Sequence, residues 1–160
     1  MDDSAGISLS EQIHQHAFFE GLPPDAPGLI ASCGRRQTYA EGELIIGAGE
    51  SAEQFFVVTQ GCVSVEVSTP DDISDHGVIV IDQVDAGSVL GVSWTSAPYE
   101  WAFDGRALED TEVIVVDVAC IRRRCAGDRD FERELNQRFF ALLGHRLQET
   151  RRRLLAEFTD

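Results

Sequence analysis

The sequence predicts a mainly β domain with flanking helices: a double-stranded β-helix of the jelly-roll-like β-roll kind, preceded by N-terminal helices and closed by one long C-terminal helix. Three observations carry that prediction. Between residues 35 and 117, short runs rich in Val and Ile recur with turn signals every ~8 to 12 residues, a spacing that suits a barrel or sandwich and not alternating strand and helix units. The turns hold glycines at Gly42, Gly47, Gly49, Gly61 and Gly87, where tight reversals need positive φ or close backbone approach. After Asp117 the apolar spacing changes from two to three and four, the period of a helix. A length of 160 residues with 43% hydrophobic content suits one folding unit with its own core, divided into a helical segment (1–34), a β-roll (35–117) and C-terminal helices (118–160).

The elements follow in order. SEQIHQHAFF reads as a helix with Ser10 as N-cap, and EGLPPDAPGL as a broken connection into a short helix from Ala26 to Cys33. The strand runs are RRQTYA, ELIIGA, EQFFVVTQ, CVSVEVS, VIVIDQV, SVLG, FDGRAL and EVIVVDV. In CVSVEVS, Val63, Val65 and Val67 alternate with Ser64, Glu66 and Ser68, the signature of a half-buried strand. TPDDISDHG reads as a solvated hairpin loop. A short helix then ends near Gly127, and a long one runs from about Arg129 to Phe158 with Asp128 or Asp130 as N-cap. Its stripe of Phe131, Leu135, Phe139, Leu142, Leu143, Leu147, Leu154 and Leu155 is longer than one roll can cover. The part near Leu147 to Leu155 therefore suits self-association.

Charge and motif content restrict the function classes. The net charge is −15, yet residues 1–121 carry 3 Arg against 21 acids while residues 122–160 carry 10 Arg against 7 acids. A body this acidic repels phosphate backbones, so DNA is not an expected partner. No apolar window reaches the length of a membrane span and no signal peptide opens the chain, so a cytoplasmic, membrane-free protein is expected. Cys33, Cys62, Cys120 and Cys125 lack metal-ligand spacing and read as ordinary reduced thiols; the His14 and His16 pair reads as solvated, and no metal site is expected. No nucleophile elbow, P-loop, zinc-protease motif or triad spacing is present; no catalytic residue is assigned and the chain is not read as an enzyme.

In order and spacing, EGELIIGAGESAEQFFVVTQGCVSVEV, then DAGSVLG, then LEDTEVIVVD resemble the cyclic nucleotide-binding domain of the catabolite-activator and FNR type, from about Phe18 to Phe158. That resemblance implies a cassette between two strands whose amides receive a cyclic phosphate. It also implies a Glu for the ribose just after the first Gly, an Arg for the phosphate, and a Ser or Thr after that Arg. Counting from Gly91 and from Arg106 and Ala107, these positions hold Val92, Trp101 and Ala102. All three polar anchors are missing. Arg106 lies five positions from the site, on a strand, and is expected to point outward.

What remains at the cradle is Gly91, Val92, Ser93, Trp94, Tyr99, Trp101, Ala102 and Phe103. Two readings stay open: the aromatics plug the pocket, or they remake it for an apolar or aromatic ligand. The resemblance also implies that Thr150, in the setting HRLQET, faces the base of a bound nucleotide. No cofactor is fixed by the sequence; the expected ligand is a cyclic nucleotide or another small apolar or aromatic molecule. The chain stops at Asp160 without the helix-turn-helix of the family's transcription factors. The expectation is therefore a stand-alone regulatory or sensor domain for ligand sensing and signal transduction. Its cyclic nucleotide binding is altered or lost, and it signals through its C-terminal helix as a homodimer or to a protein partner. The alternative is a ligand-independent dimerisation or docking scaffold of the same fold, with Arg151 to Arg153 paired across the dimer or simply solvated.

Overall fold

Among the described residues, eight strands form two four-stranded sheets, β1-β8-β3-β6 and β2-β7-β4-β5, and every pairing in them is antiparallel. The strands are β1 (Gly34–Tyr39), β2 (Leu44–Ile46), β3 (Gln54–Gln60), β4 (Cys62–Ser68), β5 (Val78–Asp85), β6 (Val89–Leu90), β7 (Asp104–Ala107) and β8 (Thr111–Asp117). Each falls on one of the apolar runs of the sequence. This computed structural model describes residues 7–68, 77–95 and 97–158; most of the TPDDISDHG loop lies outside them.

The core lies on both faces of the first sheet, because apolar residues pair in register. Phe56 stands opposite Val115 and, on the other face of the same sheet, Val57 opposite Ile114; Val63 stands opposite Val84 and Ala107 in the second sheet. All of these side chains are buried. Gly61 turns β3 into β4 at φ 94°, and a Cβ there would stand 2.5 Å from Thr111 Oγ1 and 2.7 Å from the Asp110 carbonyl. Only glycine lets the two strands reverse against β8 at that distance.

Four helices and a 3₁₀ turn flank the roll: α1 (Leu9–Gln15), the turn Ala17–Phe19, α2 (Ala26–Ala31), α3 (Val118–Arg124) and α4 (Arg129–Ala156). The N-cap of α1 is Ser8, not Ser10: Ser8 Oγ accepts the Glu11 amide at 3.1 Å. The Ser-x-x-Glu spacing from Ser8 to Glu11 is a capping box, a stronger start signal than Ser10 carries. Asp117 and Asp128 cap α3 and α4 through side-chain contacts of 2.9 and 3.1 Å to the amides of Ala119 and Phe131. α4 buries Phe131, Leu135, Phe139 and Leu142, while Leu143, Leu147, Leu154 and Leu155 remain exposed, so the stripe divides after Leu142, one stripe position before the expected Leu147. No helix among the described residues is long and apolar enough to cross a membrane.

Two residue readings are corrected. Cys33 and Cys120 form a disulfide across 87 residues, with Cα atoms 5.6 Å apart, so only Cys62 and Cys125 are free, both buried. The fold brings the pair together: Gly34 stands opposite Val116, and the Asp117 amide donates to the Cys33 carbonyl at 2.9 Å, which sets the end of α2 beside the start of α3. Spacing rules for local cysteine motifs do not see such a contact. His16 is buried at 8% exposure and is not solvated. Its Nδ1 accepts the Phe18 amide at 3.2 Å, which leaves the proton on Nε2, 2.9 Å from the Val58 carbonyl.

Burial lowers the pKa of His16 from 6.5, more than its bond to Val58 raises it. Above that value neither the folded nor the unfolded imidazole is charged, and His16 contributes no pH dependence. Below it the unfolded chain binds the proton first, so stability falls as pH decreases through the folded pKa. Urea midpoints measured from about pH 7 to about pH 5.5 are expected to drop in the native sequence and to drop less steeply in His16→Gln.

Candidate ligand cradle

The cradle begins where β6 runs out. Gly91 follows Leu90 with φ at 111°, Val92 is half-buried, and Ser93–Thr95 form a single 3₁₀ turn. The chain then passes a cis Ala97–Pro98 bond and Tyr99, at φ 58°, before reaching Trp101 and β7. The return leg is fixed by its backbone: the Trp101 amide donates to Glu50 and its carbonyl accepts from Gly49, each at 2.8 Å, while the Ala52 amide donates to Tyr99 at 2.8 Å. Asp104 closes this small ladder by accepting the Ala48 amide at 2.8 Å. Alternation along a paired strand then sends the Trp101 ring inward and leaves Ala102 exposed.

The Trp101 ring lies directly on the first glycine. A Cβ on Gly91 would stand 2.8 Å from the far edge of that ring. Trp101 is 5% exposed and tilts against Phe56 with centroids 6.2 Å apart. Gly91 therefore answers two demands at once, positive φ and contact with an indole.

Trp94 takes the other side. It stacks on Phe55 at 5.8 Å and meets Phe139 of α4 edge-on at 4.9 Å. Its Nε1 donates to the Gly91 carbonyl at 3.1 Å, so the one polar atom of the ring is satisfied within the cradle. The Arg122 guanidinium sits 5.7 Å above the ring and donates to the Trp94 carbonyl at 3.2 Å. Thr95 Oγ1 donates to the Val92 carbonyl at 2.6 Å. Trp94 also lines a groove of about 220 Å³ with Phe55, Ile121, Arg122, Cys125 and Leu135. Burial raises the Cys125 thiol pKa there.

The remaining predicted positions separate. Ser93 is half-buried on the turn, Phe103 is half-buried and Tyr99 is exposed. Thr150 does not share a contact with the cradle: its Oγ1 donates to the Ile81 carbonyl at 3.2 Å. That carbonyl is available because β5 bulges there, the register passing from Val65 opposite Asp82 to Glu66 opposite Val80. Arg106 points outward as expected, onto Glu66 at 3.4 Å and the Gly42 carbonyl at 3.1 Å.

Sequence reasoning missed two residues. Asp82 is 5% exposed, and Arg146 of α4 reaches it with Nε 3.2 Å from Oδ2. The signal was an acid two residues before Val84 within VIVIDQV, where alternation with that buried valine demands an inward side chain; the bulge at Ile81 takes Val80 out of that period. Desolvation lowers the pKa of Arg146, against the opposing pull of Asp82. Among the described residues no three His, Cys, Asp or Glu side chains converge as a metal site.

An antiparallel β-roll with a Gly-led cassette between its sixth and seventh strands, closed by a long helix, is the architecture of a regulatory ligand-binding module. The family model of the cyclic nucleotide-binding domain matches residues 36–128, and the chain belongs to that family. Solved structures agree in fold. A cyclic nucleotide-binding domain from Methylobacillus flagellatus KT is similar at 16% identity and TM-score 0.77, over 96% of this chain and 84% of that one. The sensor domain of the transcriptional regulator DNR from Pseudomonas aeruginosa gives 15% and 0.67, over 88% and 91%. The catabolite activator protein of Thermus thermophilus gives 23% and 0.65, over 89% of this chain and 63% of that one. No curated protein matches the chain.

Gly91→Ala should be far more damaging than a typical surface change, because the new methyl meets the Trp101 ring and the backbone sits at positive φ. Trp101→Ala alone should cost about 3 to 5 kcal/mol of stability through the cavity it leaves. In the Trp101→Ala background the additional cost of Gly91→Ala should shrink by about 1 kcal/mol or more, read as the coupling in a double-mutant cycle of denaturant midpoints.

Proposed function

We propose that this chain is a regulatory domain of the cyclic nucleotide-binding fold whose cradle has lost its phosphate chemistry, and that it passes its state to partners through α4. The observation that carries this reading is Trp101 seated on Gly91, at the position where the family resemblance calls for the phosphate-binding Arg. Val92 and Ala102 stand where a ribose-binding Glu and a phosphate-binding hydroxyl are implied. Removing one charged partner from a buried pair commonly costs ~2 to 5 kcal/mol, and micromolar affinity amounts to only about 8 kcal/mol in all. Loss of that charge pair together with two further polar contacts leaves little for a cyclic nucleotide. The contacts of Trp94 and Trp101 with core residues support the plugged cradle over one remade for an apolar ligand.

The surface of α4 favours a homodimer as the form in which that state is read. Val78, Ile79, Val80 and Leu154 line a groove of about 690 Å³ between the β5 edge and α4. Leu147, Leu154, Leu155 and Phe158 are more than half exposed. A run of exposed leucines on one helix beside an open apolar strand edge suits a second copy of the chain, since a symmetric interface matches the surface to itself. The same interface serves the ligand-independent scaffold reading equally.

A thermal-shift series with cyclic AMP, cyclic GMP, cyclic dinucleotides and uncharged aromatic metabolites tests the cradle, because a ligand of the native state raises Tm by mass action. No shift with the cyclic nucleotides is expected; a clear shift with any of them overturns the reading. In the variant Val92→Glu/Trp101→Arg, a filled cradle gives a lower Tm and no binding, because two buried charges lack partners. Recovered cyclic nucleotide binding would instead reveal an intact pocket. For the dimer, Leu147→Glu/Leu154→Glu should convert the species seen by sedimentation from dimer to monomer without lowering the helical signal.

A further inference from the structure

β5 and β6 are each an edge strand of one sheet, with β2 and β1 at the opposite edges. One side chain joins these two edges. Arg146 places Nε 3.2 Å from Asp82 Oδ2 on β5 and donates through Nη2 to the Val89 carbonyl on β6, two residues before Gly91. Asp82 is buried and Arg146 is partly so, with side chains 7% and 13% exposed. Asp82 stands opposite Val65, whose other cross-strand neighbour is Gly105, so its side chain shares the inner face of the sheet.

Neither group belongs there on grounds of stability alone. A guanidinium out of water needs a counter-anion, and an apolar pair of the same volume serves packing at least as well. Of the Asp82 oxygens, Oδ1 accepts the Gln83 amide at 2.8 Å. Oδ2 is buried without an aligned hydrogen bond, so its contact with Arg146 is an ion pair only. The same face of α4 continues the attachment: Thr150 holds the Ile81 carbonyl, and Arg153 Nη2 donates to Gln83 Oε1 at 3.3 Å. Arg146, Thr150 and Arg153 are spaced i, i+4, i+7, one helical face against one strand. The charged groups that meet on the inner face are thus one guanidinium, Arg146, and one carboxylate, Asp82, while Arg153 bonds Gln83 on the exposed face of β5.

We propose that Asp82 is a built-in counter-anion: its carboxylate fills a slot in which Arg146 would otherwise bind an anionic ligand, so that Arg146 staples α4 to both sheets with nothing bound. The slot is an anion site with its occupant encoded in the chain. An exogenous anion finds no net positive charge there while Asp82 is ionised.

The test uses the full chain and inorganic sulfate at constant ionic strength, with chloride as the control. Asp82→Asn keeps the shape of the side chain and removes the charge. Its Tm is expected to fall by several degrees and to rise selectively with sulfate, while the native sequence responds to sulfate and chloride alike. Asp82→Asn/Arg146→Gln is expected to lose the selective response. Equal sulfate responses in the native chain and Asp82→Asn, or a response that survives loss of Arg146, overturn the proposal. If Asp82→Asn does not fold, the native chain decides: the Arg146 Nε proton, identified by its loss in Arg146→Gln, should exchange with water at least about tenfold more slowly than those of the exposed arginines. Exchange at the exposed rate overturns it. The proposal does not depend on the lost nucleotide chemistry argued above: a chain that binds cyclic AMP yet shows sulfate rescue in Asp82→Asn refutes that reading and keeps this one.

Discussion

Phe139 is the point at which four separately encoded parts of the chain meet. Its ring contacts Phe18 at 5.0 Å, Phe55 at 4.9 Å and Trp94 at 4.9 Å, all edge-on. These rings come from the N-terminal turn, from β3, from the cradle turn and from α4. Burial of one such side chain is worth about 1.5 to 3 kcal/mol, and each well-placed aromatic pair adds roughly 0.5 to 1.5. The cluster therefore makes the first half of α4 part of the same rigid body as the cradle. A cradle turn held this way does not need a ligand to order it.

Beyond Leu142 the character of α4 changes. Among the described residues its hydrogen bonds and ion pairs to the roll are made by Arg146, Thr150 and Arg153 to β5 and β6, while Leu143, Leu147, Leu154 and Leu155 are exposed. Segments with few buried apolar contacts open at lower free energy than cores. One helix thus combines an anchored half, locked by aromatic packing, with a half whose attachment depends on charge and hydrogen bonds. That division suits the role proposed for α4: the first half fixes where the helix starts, and the second has an attachment that a binding event or a partner could replace.

Much of this was legible in the sequence, and the limits of legibility were physical. Strand positions follow from alternation and glycine turns, both local properties, and all eight runs became strands. The division of the α4 stripe was legible because a single roll offers finite apolar surface. The cradle substitutions were legible as identities, but not their outcome. Whether Trp101 lines a pocket or fills it depends on the ladder with Gly49 and Glu50, more than fifty positions earlier in the chain. His16, Cys33 and Asp82 were missed for a shared reason: each is defined by a partner distant in sequence, namely Val58, Cys120 and Arg146. Asp82 alone left a local trace, an acid in an apolar period.

The changes at the cradle and at Asp82 are consistent with one another on electrostatic grounds. An anion-binding interior balances its cations with the ligand. Under the reading proposed above, in which Trp101 stands in place of one cation and no phosphate is bound, any other cation inside the roll is left without a partner, at a cost that buried charges do not tolerate. Arg146 is such a cation, held where two sheet edges require a bridging donor. It can persist only with an anion supplied from the protein itself, and Asp82 is the acid in reach. An aromatic plug on one side of the roll and an internal carboxylate on the other answer the same requirement: an interior that is neutral and filled when no ligand is present.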